Sequence, residues 1–339
     1  MFKTPLPLPS MIDSNYKVIR TLSKSSTDAS ITLLTKDTAT NSSYTIKVSS
    51  KKPNGFVLND YNIGKKLDHQ NIVKYVNCIE CGSLKQPIGI VTSNNRLNII
   101  TNNECDNNNE STKVINRYQN STISYMTSEY CKNGDLLEYI KYATFSKLAA
   151  RYYFKKLIGA VKYLHQNNIA HRNLNCSNLY FDAEFDLKLG NLSYAVESDN
   201  NSYFIDNYGT KGYLCPEQLN KQGYLPMAGD IFACGIILFI MLFGFNAFIK
   251  GADINNECYI LFIRDNNMFW DQLQNHRREV IPTSVKQLLN GMLCIMNRFS
   301  IEEIESSEWF QDETPHKHDI ITYMNDQRLE KIRSIIKMN

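Results

Sequence analysis

The sequence predicts an α+β chain in which a small antiparallel sheet with one helix precedes a larger, mainly helical part. Three observations carry that expectation. Tyr16 to Leu22, Ala29 to Thr35 and Tyr44 to Val48 are short β-branched runs between polar turns, followed by a helical run ending near Leu67. From Leu136 onward the pattern is helical, with Leu148, Tyr152, Leu157, Val161 and Leu164 read as one apolar face. Strand-like pieces in the second half are confined to Leu179 to Phe181 and Asp186 to Leu189.

Composition narrows the function classes. At 339 residues and 43% apolar content the chain can bury one large core or two lobes. The net charge of +3 contains no block of like charges, so neither a nucleic-acid footprint nor a polybasic membrane patch is expected. Nine scattered cysteines with no signal peptide ahead of them suggest reduced thiols and a cytoplasmic or nuclear setting. Cys78 and Cys81 form the one close pair; without a second pair at matching spacing they read as strand-end thiols rather than a zinc site. Ile231 to Phe248 is uncharged and nearly long enough to cross a membrane. It contains Gly235, Gly244 and Asn246, follows Asp230 and lacks flanking Lys/Arg asymmetry, so a buried central helix is expected and no membrane span.

The order along the chain suggests a tail over residues 1–15, a domain over 16–310 and a helical extension over 311–339. Within the domain, a β-rich part covers about 16–128 and a helical part about 133–310. Residues 92–121, rich in asparagine and poor in large apolar groups, read as a disordered surface insertion. In the extension, Asp326 to Met338 carries Leu329, Ile332 and Ile336 at helical spacing beside Arg328, Lys331, Arg333 and Lys337. A helix docked on the domain is favoured there over a free basic helix awaiting a partner.

A set of short motifs stands in a recognisable order: Tyr44-Thr45-Ile46-Lys47, Leu67-Asp68-His69-Gln70-Asn71-Ile72-Val73, Glu129-Tyr130-Cys131, His171-Arg172-Asn173-Leu174, Gly209-Thr210-Lys211-Gly212-Tyr213, Cys215-Pro216-Glu217, Asp230 and Arg298. In this order and spacing they resemble the eukaryotic protein kinases over about Tyr16 to Phe310, in style the serine/threonine kinases of the calcium/calmodulin-dependent group. The resemblance implies a bilobal α+β fold, with a β-rich N-lobe carrying one helix and a larger helical C-lobe.

Phosphoryl transfer needs a placed nucleotide, cations on its phosphates and an aspartate that orients the acceptor hydroxyl. Set against the family pattern, most of these parts are altered. The glycine-rich phosphate cover aligns with Leu22-Ser23-Lys24-Ser25-Ser26-Thr27-Asp28, which has no glycine and ends in a carboxylate that repels phosphate. The strand lysine is Lys47, and its helix partner is Asp60, one methylene shorter than the usual glutamate, so that the pair forms only if the helix sits closer. The catalytic aspartate has become Asn173 and the phosphate-contacting lysine Asn175. Asn178 keeps the identity of one metal ligand, but the metal-binding Asp-Phe-Gly aligns with Asn191-Leu192-Ser193, and magnesium prefers anionic oxygen.

The adenine slot is bounded in the resemblance by Thr45 and Tyr180, both bulkier than usual, while Ser128 is a small gatekeeper, Glu129 and Cys131 occupy the hinge and Asp135 matches a ribose-contacting acid. Structural positions are retained: Glu217 with Arg298 as a buried ion pair, Asp230 as the acid that holds the catalytic loop, and Arg172, for which Asp206 could replace a phosphorylated residue. The inter-lobe hydrophobic column reads His171, Leu192, Gly64 and Tyr75; the gap at Gly64 is filled by Tyr75 or the helix is displaced.

The expectation is a pseudokinase: a kinase-like domain without catalysis, acting as a scaffold or allosteric regulator in phosphorylation signalling. Its partners would be other proteins, an active kinase among the candidates, and no cofactor is expected. The alternative is a divergent serine/threonine kinase that binds ATP and Mg2+ and takes a metal carboxylate from Asp182 or Asp186. A third reading is a nucleotide-responsive switch acting through Lys47 and Asp135.

Overall fold

In the computed structural model the residues described are 11–24, 30–49, 55–85, 90–93, 96–99, 122–199 and 201–338. They divide into a β-rich unit, Met1–Asp68 with Val73–Cys131, and a helical unit, His69–Ile72 with Lys132–Asn339.

The β-rich unit is a closed antiparallel barrel of β1 (Met11–Ile12), β2 (Tyr16–Lys24), β3 (Ser30–Asp37), β4 (Ser43–Ser49), β5 (Tyr75–Lys85) and β8 (Thr122–Glu129), in the order β1-β2-β3-β4-β8-β5. Helix α1 (Gly55–Gly64) packs on β5 and β8, and β6 (Ile90–Ser93) with β7 (Arg96–Ile99) forms a separate hairpin. Alternating residues of the strands, among them Val18, Ile31, Leu33, Ile46, Val48 and Ile123, fill the barrel.

Two expectations are corrected here. Residues 11–15 are not tail: Ile12 is fully buried in the barrel, and the Asp13 carboxylate accepts from Ser83 N–H (2.6 Å), Ser83 Oγ (3.0 Å) and Tyr125 OH (2.6 Å). A two-residue strand is too short to show a period in sequence. Part of the expected disordered insertion is ordered, since β6 and β7 pair from Thr92↔Leu97 to Ser93↔Arg96. The asparagine-rich remainder, and Ser25 to Asp28, lie outside the described residues.

The helical unit contains α2 (Leu136–Ile140), α3 (Lys147–Gln166), β9 (Ile169–Ala170), the hairpin β10 (Leu179–Phe181) and β11 (Leu187–Leu189), β12 (Val196–Glu197), α4 (Pro216–Leu219), α5 (Pro226–Phe243), α6 (Glu257–Arg264), α7 (Asn266–Arg277), α8 (Thr283–Leu293), α9 (Ile301–Ser306), α10 (Glu308–Gln311) and α11 (Lys317–Met338). The apolar segment expected as a central helix, Ile231 to Phe248, is helical only as far as Phe243, within α5, which begins five residues earlier at Pro226; every residue of α5 except Ala228 is buried, and Gly244 in the left-handed region (φ 82°) ends it. This is the one helix among the described residues long and apolar enough to cross a membrane.

The buried face of α3 differs from the expected stripe: Leu148 is 51% exposed, while Tyr153, Phe154, Leu157, Ile158, Val161 and Leu164 are buried. The helix touches α5 as well as β9 and β11, so more than one stripe is covered. Helix α11 is docked, but not by the residues expected. Ile320 and Met324 are buried, Tyr323 OH accepts from Ser146 N–H (2.9 Å), and Lys331 pairs with Glu138 (2.6 Å); Leu329, Ile332 and Ile336 remain exposed. The helix begins at Lys317, so its first turns dock before the apolar stripe of its last turns is reached.

Candidate functional site

The kinase-like positions fall in both units. In the β-rich unit, Lys47 lies on β4 opposite Met126, and its Nζ stands 3.6 Å from Asp60 Oδ2 on α1, with the side chains 12% and 2% exposed. The shorter carboxylate does form the pair. Tyr75 explains how: its hydroxyl donates to Asp60 Oδ1 at 2.6 Å, and its ring lies where Gly64 has no Cβ. A Cβ at position 64 would stand 2.3 Å from that ring. The gap in the hydrophobic column is therefore filled by Tyr75, which also holds the ion pair's acid. Gly64→Ala is expected to destabilise the β-rich unit by about 1–3 kcal/mol through overpacking, read by chemical denaturation. Ser128 is buried and opposite Thr45, Cys131 is half-buried, and Glu129 takes the Lys74 N–H on Oε1 (2.8 Å).

In the helical unit the loop after β9 is organised by Asp230. Its carboxylate accepts from His171 N–H (2.8 Å), Arg172 N–H (2.8 Å) and His165 Nε2 (3.0 Å). These bonds hold Arg172 in the left-handed region (φ 62°), which a long side chain seldom adopts. His171 is fully buried and accepts the Asn173 N–H on Nδ1 (3.2 Å), leaving Nε2 to donate to Gly190 O (3.1 Å).

The three substituted positions, Asn173, Asn175 and Asn191, form one amide network with the retained Asn178. Asn173 Oδ1 accepts from Asn175 Nδ2 (3.2 Å) and from Thr210 Oγ1 (3.0 Å). Asn175 Nδ2 also lies 3.0 Å from Thr210 Oγ1, while its Oδ1 caps the following turn by accepting from Ser177 N–H (2.9 Å) and Asn178 N–H (3.2 Å). Asn178 Nδ2 donates to Asn173 O (2.7 Å), and its Oδ1 accepts from Asn191 Nδ2 (3.0 Å). Asn191 stands in the left-handed region (φ 62°), which asparagine tolerates better than most residues, and its Oδ1 accepts from Ser193 Oγ (2.8 Å). Gly209 brings Thr210 into reach: at φ 126° its Cα passes so near the chain that a Cβ would stand 2.7 Å from Arg172 O.

The network does not fit magnesium. Asn178 and Asn191 offer only neutral amide oxygens, each already accepting a hydrogen bond, and the carboxylate that a hard cation prefers is missing from the pair. Asp182 and Asp186 do not supply it. Asp182 Oδ1 accepts from Glu184 N–H and Asp186 N–H (2.9 Å each) in the β10–β11 turn, and Asp186 pairs with Lys317 (2.5 Å). Asn178 and Gly190 meet at the opposite end of that hairpin, four positions or roughly 13 Å away along the strands.

Asp135 caps α2 by accepting from Glu138 N–H (2.9 Å), and its backbone bridges to Tyr180, which is half-buried. Burial raises the Asp135 carboxyl above its ordinary range, against the Glu138 N–H that lowers it. Arg172 ion-pairs with Asp206, and Tyr224 OH lies 3.2 Å from Arg172 Nε and donates to Asp206 Oδ1 at 3.1 Å. The guanidinium also faces the rings of Phe204 (5.1 Å) and Tyr208 (5.2 Å). Burial alone would lower its pKa; Tyr224 and Asp206 outweigh that and raise it. Glu217 and Arg298 form a two-point pair, Oε1 to Nη1 at 3.0 Å and Oε2 to Nη2 at 3.2 Å. Sequence reasoning missed Thr210, Ser193, Tyr224 and His165 as partners in these networks. Thr210 stood inside a quoted motif but carried no signal of its role.

Residues 28–310 match the family model described as protein kinase domain. Over 222 residues the chain is 30% identical to the CBL-interacting serine/threonine-protein kinase 20 of Arabidopsis thaliana, covering 60% of this chain and 47% of that protein. It is 30% identical over 203 residues to the carbon catabolite-derepressing protein kinase of Secale cereale, covering 56% of this chain and 37% of that protein. The match thus spans less than half the length of these relatives.

Proposed function

The chain belongs to the protein kinase domain family, and from that premise we propose that it is a member without phosphotransfer activity, a protein-binding scaffold or allosteric regulator in phosphorylation signalling. The observation that carries the reading is the closed amide network of Asn173, Asn175, Asn178 and Asn191. An amide cannot take the acceptor hydroxyl's proton, and amides already bonded to one another leave no anionic seat for a metal. Loss of base and metal carboxylate together removes many powers of ten in rate. Its partners are other proteins, with an active kinase the candidate favoured by the family.

Thermal unfolding with ATP, with and without Mg2+, tests the proposal. No shift is expected with either. A ligand at 100 times its Kd would add about 2.7 kcal/mol, a rise of several degrees. A magnesium-dependent rise would support the divergent-kinase alternative, and a metal-independent one the nucleotide switch.

The same reading makes Asp206 a permanent replacement for a phosphorylated residue that would pair with Arg172. Asp206→Ala is expected to lower the Tm by a few degrees and to increase hydrogen exchange over residues 201–209. Unchanged exchange there would refute that role.

A further inference from the structure

Helix α11 lies beyond residue 310, where the match to the family model ends, yet it grips two other parts of the helical unit. Its first residue, Lys317, pairs with Asp186 (2.5 Å) and Glu184 (3.3 Å) of the β10–β11 turn. The next turns are seated by buried Ile320 and Met324 and by the Tyr323 ring, edge-on to Phe145 at 6.0 Å. Roughly 21 Å from Lys317 along the axis, Lys331 pairs with Glu138 on α2 (2.6 Å), its Nζ 5.3 Å from the centre of the Tyr139 ring. Arg328 Nη1 donates to Asn133 Oδ1 (3.4 Å). Asn133 joins the two grips. Its Nδ2 donates to Asp182 O (2.7 Å) in the same β10–β11 turn, its carbonyl accepts from Tyr139 OH (3.0 Å), and its N–H donates to Phe181 O (3.0 Å).

We propose that α11 is a strap that fixes residues 133–138, so that the order of the segment carrying Asp135 depends on a helix outside the matched domain. Backbone bonds tie that segment to β10, and side-chain bonds tie it to α11. Helix α2 within it has five residues, too few to be stable as an isolated helix. The Lys331–Glu138 pair is partly exposed, 20% and 48%, and weak by itself; buried Ile320 and Met324 set the helix where the pair can form. Burial raises the Asp135 carboxyl, and Lys331 is one of the cations that oppose the rise, so the strap reaches that residue's charge as well as its backbone. None of these contacts involves the amide network of Asn173, Asn175, Asn178 and Asn191, so the strap holds whether or not the chain transfers phosphate.

Amide hydrogen exchange on the full chain reads the coupling. Met324→Asp, which unseats α11, is expected to speed exchange over residues 133–140 by about 10-fold or more while α8 exchanges as before. Lys331→Glu and Glu138→Lys are each expected to speed it there by about 3-fold, and the two together to bring the rate back toward that of the wild type. Ile332→Glu, on the exposed stripe of α11, is expected to exchange as the wild type does. Wild-type exchange over 133–140 in a Met324→Asp chain whose α11 has lost protection overturns the proposal. So do single charge variants without effect, a double variant as fast as the singles, or a rise in α8 equal to that in 133–140. Should Met324→Asp fail to fold, the charge variants decide.

Discussion

Glu217→Ala is expected to cost the helical unit about 3–5 kcal/mol, the penalty for leaving a buried cation without its partner. The Arg298 side chain is 5% exposed and the Glu217 side chain 19%. Around the guanidinium lie the Ala228 carbonyl (3.0 Å), the Cys294 carbonyl (2.9 Å from Nη2) and the Phe232 ring (5.2 Å), none of which is anionic. Burial pulls the Arg298 pKa down, and Glu217 more than offsets it, so the residue stays charged in the native state. Without Glu217 that charge persists and only neutral oxygens oppose it. Glu217→Gln, which keeps an acceptor oxygen, is expected to lose less. Both tryptophans of the chain, Trp270 and Trp309, lie in the helical unit, so fluorescence-monitored urea unfolding reads that unit directly. A loss below about 1 kcal/mol would show that the pair is solvated rather than structural.

Asn175→Lys, the change that returns the family's lysine, is expected to destabilise by about 2–4 kcal/mol and to restore no activity. It removes a turn cap, typically about 1 kcal/mol, together with the Nδ2 donor to Thr210 Oγ1 and one of the two donors to Asn173 Oδ1. It also places an ammonium where the residue is only 6% exposed. Asn173→Asp should behave oppositely. Both hydrogen bonds to the Asn173 side chain end on Oδ1 as acceptor, and a carboxylate accepts them as well. A change within about 1 kcal/mol is expected there, the stronger bonds offsetting a buried charge. Urea midpoints of the two variants check the contrast, and a phosphotransfer assay checks that neither gains turnover. Equal losses in both would mean that the network does not depend on which atom donates.

The α+β arrangement was legible because its signals are local. The runs beginning at Tyr16 and Tyr44, and the uncharged stretch inside α5, carry their period or composition within one element. What sequence could not give was facing. Leu148 belongs to an apolar pattern yet is exposed, because the surroundings of α3 select which part of its surface is covered. On α11, Ile320 and Met324 are buried in place of Leu329 and Ile332, since docking begins one turn into a helix that starts earlier than its pattern suggests. The strand at Met11–Ile12 is specified by the Asp13 carboxylate meeting Ser83 and Tyr125, residues 70 and 112 positions away.

The same division holds at the site. The linear order of motifs by itself determined that neutral amides stand at positions 173, 175, 178 and 191, because residue identity at a motif position needs no folding. Only the tertiary structure decided that these amides bond to one another, and that Thr210, 37 residues from Asn173, joins them. It likewise decided that Tyr75 fills the space at Gly64 and reaches Asp60. Hydrogen bonds reach about 3 Å, so partners far apart in sequence are chosen by where the fold sets the backbone rather than by any local preference.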